Sequence, residues 1–137
     1  MRQSYLLDTC AAIWLVADTL PAPAEIALAE AYQAGLGVYV SPITAWEIGN
    51  LARKGRFVSS LTPMRWFERL MNLPGAALAQ MPPEVLIASS ELPSFGPGDP
   101  ADRIIAATAR EYGYTVVTRD RALLDYARQG YLNVLEC

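Results

Sequence analysis

The segment DPADRIIAATAREYGYTVVTRD, residues 99–120, carries the reading that decides the architecture. Asp99 suits the residue before a helix, Pro100 its first position, and Asp102 the positively polarised first turn. The Ile/Ala-rich run over 102–113 predicts a helix closed by Gly113. YTVVT (114–118) is β-branched and apolar, which predicts a strand, and Asp120 follows at its carboxyl end. A helix leading into a buried strand is the building unit of an α/β protein. Two acids at its start and a third beyond its end raise a separate, chemical question.

The same alternation runs outward in both directions. SYLLD (4–8) reads as a short buried strand ending in an acid, and the residues from Thr9 as a helix. Strong helix formers fill 24–34, ahead of Gly35 and Gly37, and VYV (38–40) is the next strand. Ser41 and Pro42 open a helix over 43–55, stopped by Gly55. Residues 62–72 and 82–92 predict two more helices, and 76–81 an ambiguous strand between them. A Pro/Gly loop fills 92–100, a short helix 121–130, and a last strand 132–136. Strands alternating with helices predict a three-layer α/β/α sandwich with a mostly parallel central sheet of about five strands. The length of 137 residues predicts a single domain over 1–137.

Composition narrows the chemistry. The chain is 53% hydrophobic and 18% charged, which suits a sheet buried on both faces or a surface covered by a partner. The net charge of -3 provides no global basic field, so a nucleic-acid partner needs a local basic patch or bound cations. No histidine is present, and the only cysteines are Cys10 and Cys137. Histidine-based zinc sites and Ser–His or Cys–His catalysis are therefore excluded. The remaining inventory fits a hard cation held by oxygen ligands. The apolar run after Asp8 is far too short for a membrane span, and the expected setting is a reducing cytoplasm with free thiols.

In open parallel sheets, sites form at the carboxyl ends of strands where the strand order reverses. Asp8 and Asp120 each follow a predicted strand, Glu47 lies early in the helix after VYV, and Asp99 and Asp102 open the helix before TVVT. Each acid alone has an ordinary reading: a cap for Asp8, a turn for Asp120, a solvent-facing side chain for Glu47. Together they would repel one another unless a counter-charge is supplied. A Mg²⁺ or Mn²⁺ ion supplies it, and such sites serve phosphodiester hydrolysis.

LLDT (6–9), SPITAWEIGNL (41–51), DPADRIIAATA (99–109) and TVVTRD (115–120) resemble, in order, the four motifs of PIN-domain ribonucleases. The likeness is greatest to the toxin subunit of VapBC-type toxin–antitoxin pairs. It implies a Mg²⁺- or Mn²⁺-dependent endoribonuclease whose acidic tetrad is Asp8, Glu47, Asp102 and Asp120, with Asp99 as an accessory acid. Thr9 and Thr118 match supporting hydroxyl positions. The resemblance also implies an RNA substrate, a homodimer, and a cognate antitoxin that lays an apolar segment across the toxin. Gly98 departs from the basic or His-containing stretch many relatives carry, which bears on substrate preference.

Rivals fail on particular residues. A phospho-accepting receiver domain needs a lysine at a strand end, and the only lysine, Lys54, ends a helix. A haloacid-dehalogenase-type phosphatase needs a second Asp at position 10, which is Cys10. A non-catalytic PIN-like module that binds protein or RNA is the alternative from another class. For gripping RNA backbone the candidates are Arg103 and Arg119 beside the acids, then Arg53, Lys54 and Arg56 at a helix end. As structural alternatives, the first two suit ion pairs and the last three a solvated helix terminus. Trp14, Trp46 and Trp66 are expected in the core, with Trp14 and the first helices also suited to lining a partner groove.

Overall fold

The computed structural model describes residues 3–137. Five strands and seven helices alternate along the described residues: β1 (Tyr5–Leu7), α1 (Thr9–Val16), α2 (Ala22–Gln33), β2 (Val38–Val40), α3 (Pro42–Arg53), α4 (Pro63–Met71), β3 (Ala76–Leu78), α5 (Pro83–Ser90), α6 (Pro100–Tyr112), β4 (Thr115–Thr118), α7 (Arg121–Arg128) and β5 (Asn133–Glu136). The strands pair in the order β3-β2-β1-β4-β5, and every pairing is parallel. The expected α/β architecture with a parallel five-stranded sheet is therefore observed. The ambiguous segment 76–81 is a strand only over Ala76–Leu78, on the sheet edge beside β2.

Side chains alternate across the strands and give the sheet two apolar faces. Leu6 and Val116 point into one cluster, where Val85, Ile105 and Leu123 of α5, α6 and α7 meet them. Leu7, Val40 and Val117 point into the other, against Ala11, Leu28, Ile48 and Trp66 of α1 to α4. That arrangement forms the three layers, and it explains why the short strands read as continuous apolar runs. Local chemistry fixes the helix starts. Ser41 accepts from Ile43 N–H at 3.1 Å ahead of Pro42, and Thr62 accepts from Arg65 N–H at 3.2 Å. α6 ends as predicted on Gly113, whose φ of 75° is left-handed and favours glycine.

The strand order places the site. From β1 the chain moves outward through β2 to β3, then returns to β4 on the opposite side of β1. The reversal falls between β1 and β4, whose carboxyl ends carry Asp8 and the Thr118–Asp120 segment.

Candidate active site

Asp8 is 5% exposed and doubly held. Its Oδ1 accepts from the Ala11 amide at 2.8 Å, capping α1, and its Oδ2 accepts from the Thr118 hydroxyl at 2.5 Å. Thr118, fully buried at the end of β4, also accepts the Asp120 amide at 2.9 Å. Asp120 in turn caps α7, accepting from Leu123 N–H at 3.1 Å. One hydroxyl thus ties the first and last acids of the proposed tetrad across the switch point. The cap reading of Asp8 is correct as local structure; Asp120, read as a turn residue, is a cap as well, and these bonds orient both carboxylates.

Glu47 is half-buried, and the Thr9 hydroxyl donates to its Oε1. Since Thr9 spends its proton there, Thr44 donates to Thr9 Oγ at 3.1 Å, giving a relay Thr44–Thr9–Glu47. Sequence reasoning missed Thr44. Its signal was a hydroxyl three residues before Glu47, on the same face of α3. The solvent-facing reading of Glu47 is corrected by this contact.

Asp99 stands at the N-cap position of α6, but its exposed carboxylate takes no cap hydrogen bond. The expected side-chain cap is therefore absent, and Pro100 and the acid at Asp102 remain as the start signals. The Asp102 carboxyl is pushed up to about 7, chiefly by burial and then by the charges of Asp120, Asp99, Glu47 and Asp8. Asp8 is also raised, by burial first and against its hydrogen bonds from Thr118 and Ala11; the Asp120 charge adds to the rise. Glu47 is raised by burial, then by Asp99 and Asp8, against the Thr9 hydrogen bond. Five acids from four distant segments thus share one electrostatic neighbourhood. Among the described residues no three of them close on a single point; the side chains stand apart, as like charges do. Cys10 lies among them, and burial plus the four neighbouring acids raises its thiol to about 11. It is a neutral thiol near pH 7, not a nucleophile. Both cysteines are free.

The basic residues divide. Arg103 donates to the carbonyls of Ser89 and Gly96, each at 2.8 Å, and lies over the Phe95 ring. It fastens the 93–99 loop to α5, and its donors face that loop rather than a substrate. Neither the RNA-backbone reading nor the ion-pair reading describes it. Arg119 is exposed next to Asp120, its guanidinium 3.9 Å above the centre of the Trp14 ring. Arg53, Lys54 and Arg56 are exposed at the end of α3, beginning about 9 Å along the axis from Glu47. Trp66 is core, but Trp46 is 54% exposed beside Glu47, against expectation. On a two-faced helix the neighbour of an inward residue points out, so Ile48 takes the core position instead.

Residues 5–129 match the PIN domain family model, and the chain belongs to that family. Over 118 residues it is 34% identical to ribonuclease VapC22 of Mycobacterium tuberculosis, covering 86% of this chain and 88% of that protein. Two solved structures share the fold across nearly the whole chain. One is VapBC2 of Rickettsia felis bound to a fragment of its promoter DNA, with TM-score 0.69, 17% identity and 98% of both chains covered. The other is DNA-bound VapBC of Salmonella typhimurium, with TM-score 0.67, 22% identity, and 99% of this chain and 98% of that one covered.

Proposed function

We propose that this chain is a divalent-metal-dependent endoribonuclease acting as the toxin of a toxin–antitoxin pair. The observation that carries the proposal is the shared electrostatic neighbourhood of Asp8, Glu47, Asp102 and Asp120 beside the β1/β4 switch point, where the charges of Asp8, Glu47 and Asp120 each raise another acid's affinity for protons. Mutual repulsion of this kind is what a divalent cation offsets, and the donors are all hard oxygens. The four acids would hold Mg²⁺ or Mn²⁺, with Asp99 at the margin. When bound, the ion supplies a more acidic water and stabilises charge on the leaving oxygen.

The protein's part is orientation. Thr118 and the Ala11 amide fix both oxygens of Asp8, and the Thr44–Thr9 relay fixes Glu47. Asp120 is set by its own cap. With no histidine and a neutral Cys10 thiol, attack falls to water and no covalent enzyme intermediate is needed. Arg119 grips the RNA backbone at the margin of the acids, and Arg53, Lys54 and Arg56 extend the contact along α3.

Partners follow from the surface. A groove of about 360 Å³ lies among Leu15, Leu28, Tyr32, Leu70, Leu73 and Pro74, flanked by α2 with its exposed Ile26. It suits an apolar segment of an antitoxin. Leu78, Leu86 and Ile87 are exposed and suit burial against a second copy. Among the described residues no helix is long and apolar enough to cross a membrane. Expression of the chain alone should arrest growth, and co-expression of a small adjacent reading frame with a DNA-binding N-terminus should restore it. Growth unaffected by the chain alone would remove the toxin assignment and leave the nuclease assignment to the cleavage assay.

A further inference from the structure

Arg119 poses a problem of placement. It follows Thr118, which binds Asp8, and precedes Asp120, so its long cationic side chain starts among the carboxylates. A guanidinium so close is a ready counter-charge for them. Yet among the described residues the only ion pair is Arg128–Asp125 on α7, and it includes none of the tetrad. The Arg119 guanidinium carbon instead lies over the Trp14 ring, 3.9 Å from its centre, and Nε–H donates to the Cys137 backbone oxygen at 3.1 Å. That oxygen is itself fixed, because the Cys137 amide donates to Thr118 at 3.0 Å beside β4. Trp14 belongs to α1 and packs, partly buried, against the cluster that includes Leu7 of β1 and Val117 of β4. These contacts hold the guanidinium out of an ion pair with the acids, while its charge still lowers the proton affinity of Asp8 from a distance.

We infer that Trp14 is a positioning residue that keeps Arg119 from neutralising the acidic edge, so that the carboxylates take the cation while the guanidinium meets RNA phosphate. The inference rests on the nuclease reading and deepens it. Trp is the aromatic side chain with the strongest attraction for a cation over its face, and a guanidinium stacks there without losing its outer donors. Without the indole, the freed side chain swings to the nearest opposite charges, Asp120 and Asp8. It then competes with the metal and leaves the phosphate.

Mn²⁺ binding measured by calorimetry on the RNA-free protein tests this, using W14F, W14L, R119M and the double variant W14L/R119M. Leucine retains apolar packing and lacks the aromatic face; phenylalanine keeps a face. W14L should bind Mn²⁺ about fivefold more weakly, the upper end for one exposed ion pair, and W14F should stay near wild type. Removing the cation as well, in W14L/R119M, should restore the affinity of R119M. In cleavage assays W14L and R119M should both raise KM for RNA and lower the salt dependence of binding by about one phosphate contact. Unchanged Mn²⁺ affinity in W14L, or a double variant as weak as W14L, would overturn the positioning role alone. A wild-type chain that binds no Mn²⁺ would overturn the proposed function and this inference with it.

Discussion

Replacing Asp8 with Asn will abolish RNA cleavage to within about one part in a hundred while leaving the protein folded. The carboxylate is both the deepest acid of the edge and the one held at both oxygens. A carboxamide keeps the shape and still accepts from the Ala11 amide, so the cap of α1 survives. It carries no charge for a hard cation, and loss of a ligand costs more than the ten- to hundredfold typical of its supporting contacts. The amide nitrogen meets Thr118, which must redirect a buried hydroxyl proton, at a cost of about 1 kcal/mol. Relief of repulsion on Asp102 opposes that cost, because Asp8 is among the charges raising it. Thermal unfolding should therefore show a near-native transition. A variant that still cleaves at more than a tenth of the wild-type rate contradicts the role given to Asp8.

In the absence of divalent metal, the protein should lose stability as pH rises from about 4 to about 7. The Asp102 carboxyl sits at about 7 in the folded chain against 3.8 in its ordinary state, and Asp8 and Glu47 are raised as well. Between those values the folded chain keeps protons that the unfolded chain has released, so folding is favoured at the acid end. That stability is fully present below the unfolded pKa and is lost as pH passes the folded one. After allowance for solvent screening the effect is on the order of 2 kcal/mol, which is roughly 5–10 °C in Tm for a chain of this size. Saturating Mn²⁺ at pH 7.5 should recover it, since ligand binding to the folded state adds stability by mass action. D8N should flatten the slope. A melting temperature in EDTA that is level or rises between pH 4.5 and 7.5 would contradict the electrostatic picture of the site.

Much of the fold was legible because its signals are local. Ser41-Pro42, Thr62-Pro63 and Gly113 mark helix ends by capping chemistry that acts within a few residues. Buried β-branched runs mark strands, and a parallel sheet follows from their alternation with helices. The convergence of Asp8, Glu47, Asp102 and Asp120 on one edge was legible through motif order and the rule that sites lie at strand ends. Contacts made across the fold were not. Thr44 acts on Thr9 from 35 residues away, and Trp14 meets Arg119 across α1 and β4. Arg103 looked like a substrate contact because of its neighbour Asp102, but its geometry is set by loop carbonyls whose direction no sequence pattern encodes. Trp46 misled for a related reason: apolar character does not say which side of a two-faced helix it occupies.

That the acidic edge cleaves RNA through a divalent cation is tested directly by one assay. Labelled RNA is incubated with the purified chain in Mn²⁺ or Mg²⁺, in EDTA, and in EDTA followed by excess Mn²⁺, with D8N carried through the same purification to exclude a contaminating nuclease. Internal cleavage should appear with metal, vanish in EDTA, return with Mn²⁺, and be absent from D8N throughout. RNA that is bound but left intact in every condition, or cleavage that persists in EDTA or in D8N, would contradict it.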